Sequence, residues 1–331
     1  MRGLAALSVF FIHASVLGLP WGDFGSPVVL FFVLSGFVLA RSLLSSPQSY
    51  RSFIWRRIVR LYPAYWATLL FALLLMHTYN PGGLEGSGLS TDWAPPVPLL
   101  HLVKHFFLIT PGISLHRIDF PIWSLVVEMR ISLLFPLLLA AFIWFRPPVR
   151  FIVSSLTLGL AFLPHPLLGI AHIPIFLLGI ALAVHVQPAA RPPWIVGPLL
   201  LLGIGLYFVG PSSGLGFYGT QYLSAIGAAM IIVSAMSSGL AKTVLTTTPV
   251  RFLGDISYSF YLLHLPILIF VTSWLYPLVH SGTTCLLASL GSTIAVAVVF
   301  RYCVELPAMR CARPLWQAPE VRYGSPTPAR P

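Results

Sequence analysis

Ten apolar runs separated by charged or Gly/Pro-rich punctuation constrain this chain more than any other feature: residues 1–18, 27–45, 63–78, 123–145, 149–164, 168–186, 194–210, 218–238, 256–275 and 282–303. A helix rises about 1.5 Å per residue, so most of these runs suffice for a hydrocarbon core of about 30 Å. The third and fifth are short, and one of them is expected to be tilted, broken or extended into a neighbouring loop. With 57% hydrophobic residues, 8% charged residues and a mean hydropathy of +0.89, the 331 residues would make an implausible water-soluble surface. The expected fold class is an all-α polytopic membrane protein, a bundle of about ten transmembrane helices.

Charge orients the bundle. A net charge of +11 and a pI near 10.0 would suggest nucleic-acid binding in a soluble chain, but here the positive-inside rule gives a simpler cause and no nucleic-acid partner is expected. If the N-terminus is cytoplasmic, all 19 cations fall on the inner side except Lys104 and Arg117, which fall outside, and Arg130, within a span. Both termini are therefore expected in the cytoplasm. Asp23, Glu85, Asp92 and Asp119 lean to the outer side. Residues 79–122 form the longest outer segment, a Gly/Pro/Ser-rich loop followed by LLHLVKHFFLIT. That apolar stretch is too short to cross and reads as an interfacial or re-entrant helix with His101, Lys104 and His105 near the surface. Residues 1–305 are expected to form the transmembrane domain, and 306–331 a basic, Pro-rich, disordered cytoplasmic tail at the anionic leaflet. Cys285, Cys303 and Cys311 show neither pairing nor metal-ligand spacing; they are expected to be inert, and no metal site is expected.

Against this background the buried polar residues are the informative ones. Eleven residues of helix turn through about 1100°, about 20° from three whole turns, so Arg2 and His13 project from one face about 16 Å apart. Ionisable groups in hydrocarbon usually face a bundle interior or watery cavity, which makes this face a functional candidate. A cleaved signal peptide is set aside because the chain behind it is not soluble. A histidine simply hydrogen-bonded between helices explains His13 as well. Ser124 and Glu128, at i and i+4 in the fourth run, share a face. Glu128 is expected about 9 Å below the outer end of its helix, and His13 at a similar depth. A carboxylate facing an imidazole fixes its tautomer and raises its basicity; a structural buried pair is the alternative. Arg130 faces elsewhere.

Three further groups of polar residues stand out. At the inner start of the third run Arg57 and Arg60 are at i and i+3, and Arg56 and Arg60 at i and i+4, and guanidinium forks suit phosphate. Arginine is also common in any inner loop, where lipid headgroups are phosphates too. Ser257, Tyr261 and His264 make a polar stripe on the ninth run, suited to interhelical hydrogen bonds or to substrate. Ser35 and Gly36 lie inside the second run, a signal of close helix packing.

Read together and in order, RGLAALSVFFIH, FFVLSGFVLA, RRIVRLYPAYW, WSLVVEMRISLLFP, GDISYSFYLLHLPIL and VELP resemble the membrane-bound acyltransferase-3 family over nearly the whole chain. The resemblance implies about ten spans and transfer of an acyl group, commonly acetyl from cytoplasmic acetyl-CoA, to a sugar or other hydroxyl, often at the outer face. The family's arginine, ten residues, histidine pattern falls on Arg2 and His13. Its tryptophan, serine, leucine and glutamate element falls on Trp123, Ser124, Leu125 and Glu128, and its arginine-rich inner segment on Arg56, Arg57, Arg60 and Pro63. Two features depart from the family pattern. The family usually carries several residues before the first arginine, often ending in aspartate and glycine, whereas Met1 directly precedes Arg2. After Glu128 it more often has a neutral or acidic pair, whereas this chain has Met129 and Arg130.

The expected function is thus an integral-membrane O-acyltransferase. His13, Glu128 and Arg2 are the candidate catalytic residues, with His13 as general base oriented by Glu128. Arg56, Arg57 and Arg60 are the candidate acyl-CoA-binding residues, and Ser35, Trp123, Ser124, Tyr261 and His264 the candidate substrate-cavity residues. The expected partners are acetyl-CoA or another acyl-CoA as co-substrate, a carbohydrate or lipid-linked sugar acceptor, and membrane lipids. No permanently bound cofactor is expected, and the expected location is the cell membrane, with the bacterial cytoplasmic membrane favoured. The rival from another class is a transporter or flippase for a polar or lipid-linked sugar using the same buried charges, which inverted repeats would support.

Overall fold

The computed structural model describes residues 1–15, 26–78, 97–108, 118–119, 121–145, 170–187, 189–208 and 214–316, with side chains omitted for His101 and residues 312–316. Among these residues every regular element is helical: α1 (Arg2–Ala14), α2 (Pro27–Ser45), α3 (Tyr50–Thr78), α4 (Leu99–Phe106) and α5 (Ile122–Trp144). A 3-10 turn (Ile170–His172) leads into α6 (Ile173–His185), followed by α7 (Pro193–Phe208), α8 (Gly216–Ser237), α9 (Gly239–Leu245) and α10 (Thr248–Val279). Next come α11 (Gly282–Phe300), a π-helical turn (Arg301–Glu305) and α12 (Leu306–Trp316). Among the described residues, six helical segments are long and apolar enough to cross a membrane: α2, α3, α5, α8, α10 and the stretch Gly282–Cys311. Arg2–Ala14, Ile170–His185 and Pro193–Phe208 are apolar but shorter. The expected span at 149–164 lies outside the described residues.

Local sequence explains several helix ends. Pro27 occupies the first turn of α2, where a missing N–H costs nothing. Ser238 and Ser281 cap α9 and α11, each hydroxyl accepting from the backbone N–H three residues on (Ala241 and Thr284). His280 closes α10 in a left-handed conformation, φ 46°, with its N–H on the Tyr276 carbonyl.

Because lipid tails are as apolar as leucine, helices in a membrane associate through close packing and hydrogen bonds rather than the hydrophobic effect. α2 and α6 show this at Gly36 and Gly179, where a Cβ on either would overlap the backbone of the opposite helix. Gly3 does the same for α1 against the backbone of Leu253 and Gly254 in α10. Among the described residues, two buried cores are the largest. One joins α2, α5, α6 and α8 around Phe32, Phe135 and Phe176; the other joins α1, α10 and α11 around Phe10, Phe260 and Leu268. Helix α10 packs on α1, α3 and α11, so it borders both the first helix and the arginine-bearing third.

Three expectations change. First, α3 begins at Tyr50 rather than at Pro63, so Arg56, Arg57 and Arg60 project from a helix instead of a loop. Pro63 had read as a helix start, but it lies inside, and only the Val59 carbonyl one turn back loses a backbone donor. Second, His105 is fully buried, not at the surface. The amphipathic α4 docks on α3, where the Tyr65 hydroxyl donates to the His105 carbonyl (2.7 Å) and the Trp66 indole donates to that of Phe106 (3.2 Å). Third, the basic tail does not begin as an unstructured segment: Leu306–Trp316 is helical and packs on α3, while residues 317–331 lie outside the described residues.

Candidate functional site

A cavity opens where α1, α2, α3, α5 and α10 meet, and its wall carries Arg2, Arg57, Arg60 and Glu128. Its surplus of guanidinium over carboxylate makes it a receptacle for anions. Arg57 is the most enclosed of the arginines. Its Nη2 donates to Glu128 Oε1 (2.5 Å) and its Nε to the Ser132 hydroxyl (3.0 Å). Ser132 in turn donates to the Glu128 backbone carbonyl (2.7 Å), and the Ser35 hydroxyl donates to Oε1 of Glu128 (3.2 Å). The Arg57–Glu128 pair, 10% and 19% exposed, is thus tied into α2, α3 and α5 together. Such a pair is stable in hydrocarbon because each charge has an opposite charge and further hydrogen bonds.

Arg60, one turn along α3, is held differently. Its Nη1 meets Glu305 Oε1 (2.5 Å), and its guanidinium lies over the Tyr258 ring, 5.6 Å from the centroid. Glu305, 1% exposed, also receives Arg301 (2.7 Å) and the Ser259 hydroxyl (3.1 Å). The π turn at Arg301–Glu305 carries both partners of that local pair. Tyr258 is anchored by donating to the Leu61 carbonyl (2.7 Å). Deeper along α10, the Tyr261 hydroxyl lies 2.7 Å from that of Ser124, and both approach the Pro121 carbonyl.

The far end of α1 makes a second group. His13 Nδ1 lies 2.9 Å from His264 Nε2, with ring centroids 5.0 Å apart. His264 Nδ1 lies 2.5 Å from the Tyr261 carbonyl. His13 is half-buried and His264 fully buried. Tyr261 joins the two groups: its ring lines the cavity, and it lies 5.6 Å from the His264 ring.

The residues expected at the site are therefore partly regrouped. Arg2, Ser35, Arg57, Arg60, Ser124, Glu128 and Tyr261 converge on one cavity. The expected His13–Glu128 pairing is replaced by two others, His13 with His264 and Glu128 with Arg57. The physical reason is depth: His13 is in the last turn of α1, whereas Glu128 stands at the level where α1 begins, close to Arg2. Among the described residues, His13, His264, Trp123 and Arg56 do not line the cavity. Trp123 packs edge-on to Phe32 (6.0 Å) and beside His172 (5.6 Å), in an aromatic cluster. Sequence reasoning missed Ser132, Tyr258 and Glu305. Ser132 had a usable signal, lying one turn beyond Glu128 on the same face; Glu305 lay just past the last apolar run, in the VELP motif.

Comparison with known proteins identifies the family. Residues 1–302 match the model of the acyltransferase 3 family, described as an acyltransferase domain. The O-acetyltransferase OatA of Staphylococcus aureus strains COL and MW2 is 27% identical over 314 residues, 83% of this chain and 50% of the relative. The chain thus spans about half the length of the curated relatives it matches. No solved structure matches. With its family model running from the first helix to the π turn, across every element that walls the cavity, the chain belongs to the acyltransferase-3 family.

Proposed function

We propose that this protein is a multi-pass membrane O-acyltransferase that moves an acyl group, acetyl in the first instance, from cytoplasmic acyl-CoA to a hydroxyl of a carbohydrate or lipid-linked sugar at the outer face. The observation that carries the reading is the cavity in which Arg2, Arg57 and Arg60 outnumber Glu128 inside a family-matched helical bundle. Both the anionic phosphates of coenzyme A and the oxyanion of a tetrahedral intermediate call for such positive charge. The relatives' printed activity, O-acetyl transfer, supports acetyl as the group moved. The cation distribution supports ten spans with both termini cytoplasmic, which puts the arginine end of the cavity on the donor side.

In this reading Arg60 and Arg2 bind phosphate, and Arg57, immobilised by Glu128 and Ser132, holds its charge where the thioester arrives. Glu128 positions a guanidinium instead of an imidazole. His13, at the other end of α1, takes the proton of the acceptor hydroxyl as that oxygen attacks the acyl carbon. The test is release of free thiol from acetyl-CoA by the purified full chain in lipid nanodiscs, with chitotetraose as the acceptor probe. His13→Ala and Arg57→Ala should each abolish transfer while the protein still inserts and remains monodisperse. Turnover at the wild-type rate in both variants would overturn the assignment.

A further inference from the structure

The hydrogen bonds around the two imidazoles run in one direction. A carbonyl oxygen only accepts, so His264 Nδ1, 2.5 Å from the Tyr261 carbonyl, carries a proton and donates it. A neutral His264 then presents its lone pair at Nε2, the atom that meets His13 Nδ1 at 2.9 Å. His13 must therefore donate from Nδ1, and its own lone pair lies at Nε2. Reversing the chain would set a His264 lone pair against the lone pairs of the Tyr261 carbonyl. Protonating His264 twice would put a full charge on a side chain with no solvent exposure.

We propose that His264 is a positioning residue for acyl transfer: it holds the half-buried His13 with Nδ1 protonated, so that the lone pair of the base is at Nε2. The inference rests on His13 acting as the base under the proposed function. In the step it serves, the acceptor oxygen bonds to the acyl carbon and its proton passes to His13 Nε2. The carbon–sulfur bond breaks with its electron pair on sulfur, and the thiolate then takes that proton, leaving both imidazoles neutral as before. Fully buried, with the Tyr261 ring between it and the cavity, His264 acts through His13 and not on substrate. Its own orientation comes from α10, whose Tyr261 supplies the accepting carbonyl at the other end of the relay.

The test compares His264→Leu, which removes the acceptor atom, with His264→Gln, whose side-chain oxygen can sit near the Nε2 position. Histidine-¹⁵N-labelled full chain in nanodiscs reports the tautomer of His13, with His13→Ala identifying its ring signals, and acetyl-CoA turnover with chitotetraose reports rate. The expected result is an Nδ1-protonated His13 in the wild type and in His264→Gln. In His264→Leu the tautomers should mix, and kcat should fall about 10- to 100-fold with donor KM nearly unchanged. A wild-type His13 protonated at Nε2 would overturn the inference, as would Leu and Gln variants with equal rates and the wild-type ring signals. If the tautomer follows His264 but His13→Ala turns over normally, or wild type does not turn over at all, the reading of His13 as base is what fails, and the positioning role falls with it.

Discussion

The two ends of α1 manage buried polarity in opposite ways. Around Arg2 the wall is made of full charges: Arg57 is held by Glu128 and Arg60 by Glu305, each pair reaching between helices. Around His13 the contacts are neutral rings and backbone carbonyls, in which the direction of each hydrogen bond, not a charge, is specified. The first arrangement suits a strong, low-specificity grip on an anion; the second suits a proton that must move one way. A single helix carries a residue into each, about 16 Å apart, so the spacing of Arg2 and His13 fixes the distance between the proposed donor grip and the proposed proton transfer.

That contrast can be broken in order of effect. Replacing His13 by alanine should lower transfer by about 10²- to 10⁴-fold, the usual range for a general base, with acetyl-CoA affinity by isothermal titration little changed; a large loss of donor affinity would erase the distinction between the two ends. Arg57→Ala strands Glu128 and should cost about 3 kcal/mol, the low end for a buried pair because Glu128 keeps some exposure. Detergent thermal denaturation reads that cost. The double variant Arg57→Met with Glu128→Met should recover most of the stability but none of the activity, and restored activity would mean the pair is only structural.

Gly36→Leu pushes a side chain into the α6 backbone and should destabilise by about 1–3 kcal/mol, seen as a lower unfolding temperature. Arg60→Ala should raise the KM for acetyl-CoA about 10-fold with kcat nearly unchanged, since Arg301 still neutralises Glu305. An equal fall in kcat would move Arg60 from grip to chemistry. The smallest effect is expected for Ser132→Ala, about 1 kcal/mol for one hydrogen bond to a charged group, read as a slight loss of thermal stability with donor KM raised at most twofold.

The helical class, the membrane character and the face shared by Arg2 and His13 were all legible in sequence, because they follow from local composition and a helical period of about 3.6. The gathering of Arg57 and Arg60 with Ser124 and Glu128 was not, since the arginines were expected at the inner start of the third run and Glu128 toward the outer end of its own. Nor were the partners. Glu128 was expected to meet His13 because both were measured from the ends of apolar runs, and the first run was taken as longer than α1. Pro63 concealed the true start of α3, and with it the helical register that turns Arg57 to Glu128 and Arg60 to Glu305.

Sequence alone determined which residues had to be submerged and which of them share a side of one helix, since that requires only residue type and rotation per residue. Only the tertiary structure decided who pairs with whom. Pairing depends on the relative slide and rotation of separate helices, set by close contacts such as Gly36 on Gly179 and Gly3 on Leu253, and a shift of one helical turn, about 5.4 Å, exchanges one partner for another.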